Sequence, residues 1–288
     1  MLHWRAVARQ RLGQHFLASA GWRERIAKLV IGATAATGAR KAAAPSEAGR
    51  PGDLWIEIGA GHGEMTSLMA RQAGRLIAIE VDSKLLPGLR EQTADLPNVT
   101  VVAGDVLAVD FAELAGGEAF LAYGNLPYYI TSPIVHRLLA HADRLRGAFL
   151  VVQHEVAVRM TASPGNRDYG YFSTFTQFYS RPEILLRIPP GAFKPPPKVE
   201  SALLALRLPG ERSRLDVKDE TQFMEFLKAC FAQKRKTLRN NLRSLMAAER
   251  AATLLRECGI AASARAEEMA LPQFARLFAA SGEGKAGA

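Results

Sequence analysis

Short apolar runs alternate with helical stretches from Leu54 to about Arg207, and this alternation constrains the fold more than any other feature of the chain. Strands that alternate with helices form a parallel sheet with right-handed crossovers. The predicted class is therefore α/β, with a doubly wound, Rossmann-like sheet. The final runs, Ile184–Ile188 and Ala202–Leu208, are separated only by a proline-rich segment, so we expect them to pair antiparallel without a helix between them.

A glycine-rich loop follows the first predicted strand, Leu54–Ile58, and precedes a helical segment from about Glu64 to Gln72. Its glycines let a ligand approach the backbone closely. The spacing G-x-G-x-G differs from the G-x-G-x-x-G of dinucleotide sites, which weakens the pyrophosphate interpretation. The loop alone is compatible with S-adenosylmethionine, with a nucleotide, or with a plain strand-to-helix turn.

Acidic residues follow the next two predicted strands. Glu80 comes after Leu76–Ile79, and Asp105 comes shortly after Val99–Val102. Because the carboxyl ends of parallel strands meet at one edge of a sheet, a carboxylate there can accept hydrogen bonds from ribose hydroxyls. Glu80 is the candidate for the ribose, and Asp105 is the candidate for the amino group of a cofactor adenine. Each acid alone is more often a helix cap or a turn residue, but their alignment with the glycine loop favours one cofactor site.

A fourth predicted strand, Ala119–Tyr123, leads into the tetrapeptide Asn125-Leu126-Pro127-Tyr128. The Asn125 amide and the Pro127 carbonyl can accept the two hydrogens of an exocyclic amine, and the Tyr128 ring can stack on the base. Such an amine is a poor nucleophile because its lone pair is delocalised into the ring, so acceptors that hold its hydrogens help to aim the lone pair at an electrophile. The tetrapeptide predicts alkylation of an amino-bearing base. The alternatives are an ordinary turn and a core tyrosine.

With these motifs the chain resembles the ribosomal RNA adenine dimethyltransferases from about Arg11 to Leu277. The motifs that carry the resemblance are Leu12-Gly13-Gln14-His15-Phe16-Leu17, Glu57-Ile58-Gly59-Ala60-Gly61, Ile79-Glu80-Val81-Asp82, Gly104-Asp105, Asn125-Leu126-Pro127-Tyr128, Phe193-Lys194-Pro195-Pro196-Pro197-Lys198-Val199, and the basic stretch Phe231–Leu242. The resemblance implies a class I methyltransferase that uses S-adenosylmethionine and carries a small all-helical C-terminal domain. For the housekeeping bacterial branch, it implies N6 dimethylation of two adjacent adenosines in the 3′-terminal hairpin of small-subunit (16S) rRNA, coupled to late subunit biogenesis.

The resemblance also assigns roles to individual residues. In this family an arm before the first strand folds over the cofactor. The cofactor contacts that it implies are Gln14, His15, Leu17, Gly59, Gly61, Glu80, Asp105 and Asn125. Position 15 is usually Asn in the family, and His15 is larger and titratable. Phe193 is implied as a second ring that stacks on the target base, with an ordinary loop anchor as its alternative, and Tyr129 stands where the family often has Asn.

The pattern changes after Pro209-Gly210 and becomes wholly helical over Lys218–Ala280. We therefore expect a catalytic domain at 1–210, which includes an arm at 1–25, and a helical RNA-binding domain at 211–288. The stretch Gly38–Gly52 is rich in Ala, Gly, Pro and Ser and is predicted to be a mobile loop. The tail from Ser281 is small and polar and is predicted to be disordered.

A formal net charge of +9 favours a polyanionic partner, because exposed cations gain from releasing the counterions around phosphates. No acid lies between Glu225 and Glu249. The predicted RNA-binding residues in that stretch are Lys234, Arg235, Lys236, Arg239 and Arg243. Its arginines are predicted to share one face of a basic helix. The alternative is a solvated outer face with no partner.

The sequence argues against several other classes of protein. Cys230 and Cys258 lack C-x-x-C spacing, and the six histidines form no H-E-x-x-H cluster, so neither a metal nor a disulfide is expected. Arg5, Arg9 and Arg11 are not accompanied by the apolar segment of a signal peptide, so export is not expected. No apolar run is long enough to span a bilayer. The expectation is a cytoplasmic monomer.

Three alternative functions remain open at this point. The first is the antibiotic-resistance branch, which methylates an adenine of large-subunit rRNA and shares the cofactor motifs, although the basic helix predicted over 233–242 favours the housekeeping branch. The second is DNA adenine methylation, which would predict a base-reading insertion that the sequence lacks. The third is an RNA-binding ribosome assembly factor without catalysis, against which the intact set Gly59, Glu80, Asp105 and Asn125 argues.

Overall fold

The structure, a computed structural model, describes residues 14–35 and 52–282. The strands in these residues are β1 (Phe16–Leu17), β2 (Leu54–Ile58), β3 (Arg75–Glu80), β4 (Val99–Ala103), β5 (Phe120–Asn125), β6 (Leu145–Gln153), β7 (Arg181–Ile188), β8 (Phe193–Lys194) and β9 (Ser201–Arg207). The α-helices are α1 (Ala20–Ala35), α2 (Glu64–Ala70), α3 (Leu86–Gln92), α4 (Phe111–Leu114), α5 (Thr131–Leu139), α6 (His154–Thr161), α7 (Tyr171–Tyr179), α8 (Glu220–Cys230), α9 (Leu238–Leu242), α10 (Ala248–Glu257) and α11 (Leu271–Ser281). The predicted loop before Gly52, the first three arginines of the chain and the tail after Gly282 lie outside the described residues.

Seven strands form the central sheet, in the order β4-β3-β2-β5-β6-β9-β7. β2 pairs parallel with β3 and β5, β3 pairs parallel with β4, and β5 pairs parallel with β6. β9 pairs antiparallel with β6. The predicted doubly wound α/β fold is confirmed. β7 and β9 are neighbours and no α-helix lies between them, as their proline-rich connection predicts.

The parallel register brings the carboxyl ends of the central strands together. Ile58, the last residue of β2, pairs with Ile79 of β3 and with Gly124 of β5. All five residues of β2 are buried, and burial on both faces is typical of central strands in a parallel sheet. The residues that follow these three strands therefore emerge side by side at one edge of the sheet.

The chain divides into two compact units. The first consists of Met1–Ala157 and Glu183–Leu208, and the second consists of Val158–Pro182 and Pro209–Ala288. α7 therefore belongs to the second unit, whereas the predicted boundary at 210 had placed it in the first. The reason is a contact that chain order does not show, because Phe178 of α7 lies against Phe223 of α8 with ring centroids 5.4 Å apart.

The predicted continuous basic helix over 233–242 is wrong. α8 ends at Cys230, residues 231–237 form turns, and α9 begins only at Leu238. The Asn241 side chain donates hydrogen bonds to the carbonyls of Cys230 and Gln233, at 2.6 and 3.3 Å, and so satisfies backbone groups at the end of α8. The Thr237 hydroxyl caps α9. The arginines of this stretch consequently do not share the face of one helix.

Three expected absences concern the described part of the chain. None of its helices is long and apolar enough to cross a membrane. Its histidines, cysteines and acids form no group that could hold a metal ion. Cys230 is buried in α8 and Cys258 follows α10, and the two form no disulfide.

Glu57 is a buried acid in the middle of the central strand. It is 2% exposed and lies between Ala78 of β3 and Tyr123 of β5 in the sheet register. Its Oε2 atom has no hydrogen-bond partner among the described residues. Burial raises the pKa of Glu57 from 4.5 to about 8, and repulsion from Glu80 adds to the shift. The side chain is therefore mostly neutral at pH 7 in the folded protein.

This shift predicts a pH dependence of stability. Between pH 4.5 and about 8 the folded state holds a proton on Glu57 that the unfolded chain has lost, so stability falls as pH rises through this window. The slope is at most about 1.4 kcal/mol per pH unit. Glu57→Gln removes this proton and should give a flatter profile. Urea unfolding of both proteins across the window measures the difference, and parallel profiles would contradict the assignment.

Candidate active site

One cavity lies at the edge where the central strands end. The residues that line it are Gln14, His15, Phe16, Gly59, Glu80, Val81, Asn125, Leu126, Pro127 and Tyr128. They come from the arm, from the glycine loop after β2, from the end of β3 and from the tetrapeptide after β5. The cavity thus combines the predicted cofactor loop, the predicted ribose acid and the predicted amine-binding tetrapeptide.

The glycine loop adopts backbone angles that favour glycine. Gly59 and Gly61 have φ values of 72° and 60°, in the left-handed region. A Cβ atom at Gly61 would lie 3.2 Å from the Phe16 ring, so the arm approaches the loop at this point. A Cβ atom at Gly59 would have only the Asn125 carbonyl oxygen within 4.0 Å. The backbone of Gly59 is accordingly open to a ligand.

Glu80 holds the loop in place. Its carboxylate is 2% exposed and accepts hydrogen bonds from the backbone amides of Gly61, Val81 and Asp82, at 2.8, 2.9 and 2.8 Å. One oxygen receives the Gly61 amide and the other receives the remaining two. The oxygen that faces the glycine loop keeps a lone pair for a further donor. Glu80 can therefore both organise the loop and receive a ligand hydroxyl.

Asn125 ends β5 and is oriented by the arm. Its Nδ2 atom donates a hydrogen bond of 2.8 Å to the backbone carbonyl of His15. The Oδ1 atom has no hydrogen-bond partner in the described chain, so the amide keeps an acceptor for a ligand. The Pro127 carbonyl is differently placed, because it already accepts from the Ile130 amide at 3.2 Å and the Thr131 hydroxyl at 3.3 Å. Its predicted contact with an amine requires Thr131 to turn its hydroxyl away.

The Tyr128 ring is fixed at two points. Its hydroxyl shares a hydrogen bond of 2.7 Å with the hydroxyl of Ser201, the first residue of β9. The His15 ring is stacked with it, at a centroid distance of 5.5 Å and an interplanar angle of 30°. Burial raises the pKa of the Tyr128 phenol above its usual value. Tyr128 is therefore a half-buried, neutral ring at the cavity and not a core tyrosine.

The arm lies against the loop that carries Phe193. β1 pairs antiparallel with β8, with Leu17 opposite Phe193. Both side chains are buried in the hydrophobic core, at 7% and 4% exposed, and neither lines the cavity. The cofactor contact of Leu17 and the base stacking of Phe193 thus remain predictions, and the second would require the ring to leave the core. Gln14 does line the cavity.

Asp105 is half-buried beyond the end of β4. Its Oδ1 atom accepts a hydrogen bond of 2.9 Å from the Leu107 amide, which is the role of a turn residue. It does not line the cavity, so its contact with a cofactor adenine stays a prediction. The backbone does connect it to the site, because the amide of Gly104 donates to the Glu80 carbonyl at 3.0 Å.

The predicted RNA-binding residues lie in the second unit. Lys234, Arg235, Lys236, Arg239 and Arg243 are all exposed. The Lys234 ammonium donates a hydrogen bond to the Arg167 carbonyl. The positive residues are therefore available to a polyanion, although the turns before α9 arrange them differently from a helix.

Three residues of the site were missed in the sequence. Ser201 fixes Tyr128, Phe16 lies over the glycine loop, and Val81 lines the cavity while being 54% exposed. An apolar residue directly after a candidate ribose acid is a signal that could have indicated Val81. No local pattern marks Ser201, because its contact spans 73 positions of the chain.

The sheet order, the antiparallel β9 and the glycine loop after β2 define a class I methyltransferase. Solved structures of similar fold belong to this class. A dimethyladenosine transferase from Plasmodium falciparum has a TM-score of 0.75 at 22% identity and covers 93% of this chain and 98% of that chain. The 23S rRNA methyltransferase ErmE has a TM-score of 0.64 at 26% identity and covers 93% of this chain and 100% of that chain.

Sequence comparison narrows the class to a family. The family described as ribosomal RNA adenine dimethylase matches residues 5–281. A relative from Acidobacterium capsulatum, named ribosomal RNA small subunit methyltransferase A, is 44% identical over 270 residues, which are 93% of this chain and 89% of that protein. The chain belongs to the ribosomal RNA adenine dimethylase family, and the family inferred from its motifs is confirmed.

The hydrogen bond between Tyr128 and Ser201 predicts energetic coupling between β9 and the site. Tyr128→Phe and Ser201→Ala should each lower the free energy of unfolding by about 1 kcal/mol, because each leaves one hydroxyl without its partner. The double variant should lose no more than either single one, which gives a coupling of about 0.5–1.5 kcal/mol. Urea unfolding of all four proteins measures it. Strictly additive losses would mean that the two hydroxyls do not interact in solution.

Proposed function

We propose that this protein transfers methyl groups from S-adenosylmethionine to the N6 amines of two adjacent adenosines in the 3′-terminal hairpin loop of small-subunit (16S) rRNA, twice at each. The observation that carries the proposal is a single cavity in which Glu80 and Gly59 lie beside the free amide oxygen of Asn125 and the ring of Tyr128. The small-subunit activity in the name of the relative from Acidobacterium capsulatum supports small-subunit rRNA as the substrate.

The residues at the edge of the sheet fit the proposed cofactor. The open backbone at Gly59 admits a ligand, Glu80 keeps an acceptor for a ribose hydroxyl, and the exposed Val81 offers an apolar surface beside it. Gln14 and Asp105 are proposed as further contacts from the arm and from the end of β4. When bound, S-adenosylmethionine supplies an electrophilic methyl group.

The tetrapeptide acts on the adenine amine. Asn125 Oδ1 accepts one amine hydrogen, and Pro127 can accept the other when Thr131 releases it. Tyr128 replaces the stacking that the adenine loses when it leaves its neighbours in the RNA. A strong general base is not needed before attack, because the amine proton becomes acidic once the methyl group has been added. The residues therefore work by positioning the amine.

The positive residues of the second unit are proposed to position the ribosomal subunit. They can bind phosphates without reading bases, since lysines and arginines neutralise the phosphate backbone regardless of sequence.

We propose that the protein acts as a monomer in the cytoplasm, where bacterial subunits are assembled, during late subunit biogenesis. The runner-up is methylation of large-subunit rRNA, which the likeness to ErmE keeps open. A non-catalytic assembly factor is the other alternative.

The proposed function is tested by methylating unmodified small subunits. The protein and isotopically labelled S-adenosylmethionine are incubated with small subunits, with large subunits and with free rRNA, and the rRNA nucleosides are analysed by mass spectrometry. We expect labelled N6,N6-dimethyladenosine from small subunits. Label in large-subunit rRNA would support the runner-up, and no label in any RNA would support the non-catalytic alternative.

Asn125→Ala should abolish methyl transfer while binding of both substrates persists, because the amide acts on the reacting amine. Single-turnover rates are compared with the binding constants for S-adenosylmethionine and for small subunits. Asn166→Ala, which removes the same side-chain amide from an exposed position outside the cavity lining, serves as the control. Near-normal turnover by the Asn125 variant would remove this residue from the mechanism.

Replacing Arg235, Arg239 and Arg243 together with Ala should weaken binding to small subunits and flatten its salt dependence, by up to about one phosphate contact per residue. S-adenosylmethionine binding should not change. The matched control replaces three other exposed arginines of the same unit, namely Arg256, Arg265 and Arg276. If both triple variants lose the same affinity and salt slope, the effect is one of net charge and the stretch is not a docking surface.

A further inference from the structure

His15 contacts the acceptor site, which is the part of the cavity formed by Asn125–Tyr128 that is proposed to hold the target adenine. The family resemblance had assigned this residue to the cofactor. Its backbone carbonyl accepts a hydrogen bond from Asn125 Nδ2 at 2.8 Å. Its ring Nδ1 lies 2.8 Å from the Pro195 carbonyl oxygen, and its ring is stacked with Tyr128. All three contacts lie within the first unit and connect one residue of the arm to the tetrapeptide and to the loop after β8.

The next residue of the arm contacts the other half of the site. The Phe16 ring lies 5.0 Å from the His62 ring, measured between centroids, and lies close to Gly61. Adjacent arm residues therefore contact different parts of the cavity: Phe16 meets the glycine loop and His15 meets the tetrapeptide. The arm is anchored by β1 and by the Arg23 side chain, which donates to the carbonyls of Leu17 and Ala18.

The contact with the His15 carbonyl determines which way the Asn125 amide is turned. An amide group presents an acceptor on one side and two donors on the other. Because a carbonyl can only accept, the NH2 group of Asn125 faces His15 and the oxygen is left for the ligand. The reverse orientation would place NH2 against the amine of an adenine, where two donors meet and no hydrogen bond forms. The arm thus selects the orientation that amine binding requires.

The hydrogen-bond partner of the His15 ring likewise determines which ring nitrogen carries the proton. The Pro195 carbonyl can only accept, so Nδ1 carries the proton and donates. The ring is held by this bond while it stacks with Tyr128, whose hydroxyl is held by Ser201. The Asn that the family usually carries at this position could donate to Pro195 but has no ring to place against Tyr128.

We propose that His15 is a positioning residue of the acceptor site, whose carbonyl orients the Asn125 amide and whose imidazole holds the Tyr128 ring for the target adenine. The proposal rests on the proposed function and deepens it. It differs from the role of a cofactor contact in a measurable way. A positioning residue of the acceptor changes the rate of transfer at saturation, whereas a cofactor contact changes the affinity for S-adenosylmethionine.

The test separates the ring from its donor. His15→Ala removes both, His15→Phe keeps a ring without the donor, and His15→Asn keeps a donor without the ring. For each variant, the single-turnover methylation rate at saturating small subunits and S-adenosylmethionine is measured beside the calorimetric affinity for the cofactor. Thermal unfolding reports whether each variant is folded. Gln14→Ala, at the neighbouring position in the arm, is the comparison for a cofactor contact.

We expect His15→Ala to lower the saturated rate roughly tenfold or more and to change cofactor affinity less than about twofold. His15→Phe and His15→Asn should each restore part of the rate. Gln14→Ala should show the reverse pattern, with weakened cofactor binding and a near-parental rate at saturation. A parental rate in folded His15→Ala, or a loss of cofactor affinity like that of Gln14→Ala, would overturn the proposal. Failure of the parental protein to methylate any RNA would instead count against the proposed function.

Discussion

The parallel pairing of β2 with β3 and β5 is the constraint on which the site depends. It places a glycine loop, a buried carboxylate and an amide at adjacent strand ends, although these groups are far apart in the sequence. Glu80 then connects the strand ends to one another, because its carboxylate binds the Gly61 amide across the edge of the sheet. With both oxygens engaged by backbone donors, the loop is held before any ligand arrives.

The arm supplies further contacts to the site at the edge of the sheet. β1 attaches it to β8, and from there Phe16 reaches the glycine loop while His15 reaches Asn125 and Tyr128. Because the arm contacts both the glycine loop and the tetrapeptide, it links the geometry of these two segments. A change in the arm can therefore alter the tetrapeptide, which is proposed to hold the adenine, separately from the glycine loop, which is proposed to hold the cofactor. For this reason neighbouring residues of the arm are expected to have different kinetic roles.

Local sequence patterns predicted those parts of the fold and site that depend on local chemistry. Continuous apolar strands, glycines at strand ends and the position of Asn125 follow from periodicity and from the geometry of parallel sheets. Long-range contacts were not predictable in this way. The Asn241 side chain binds the carbonyl of Cys230 at the end of α8, and the continuous basic helix that charge and spacing favoured does not form. Phe193 faces the core because β8 pairs with the arm, and no local signal shows that pairing.

The central claim is that the strand ends form one site for S-adenosylmethionine, with Glu80 as its ribose acceptor. Calorimetric titration of S-adenosylmethionine into the parental protein and into Glu80→Ala tests it most directly, with NAD titrated as the dinucleotide comparison. The account predicts binding of S-adenosylmethionine but not NAD, and an affinity weakened by roughly 1–3 kcal/mol in the variant, since a buried hydrogen-bond partner is lost. Unchanged affinity in folded Glu80→Ala, or tighter binding of NAD, would contradict it.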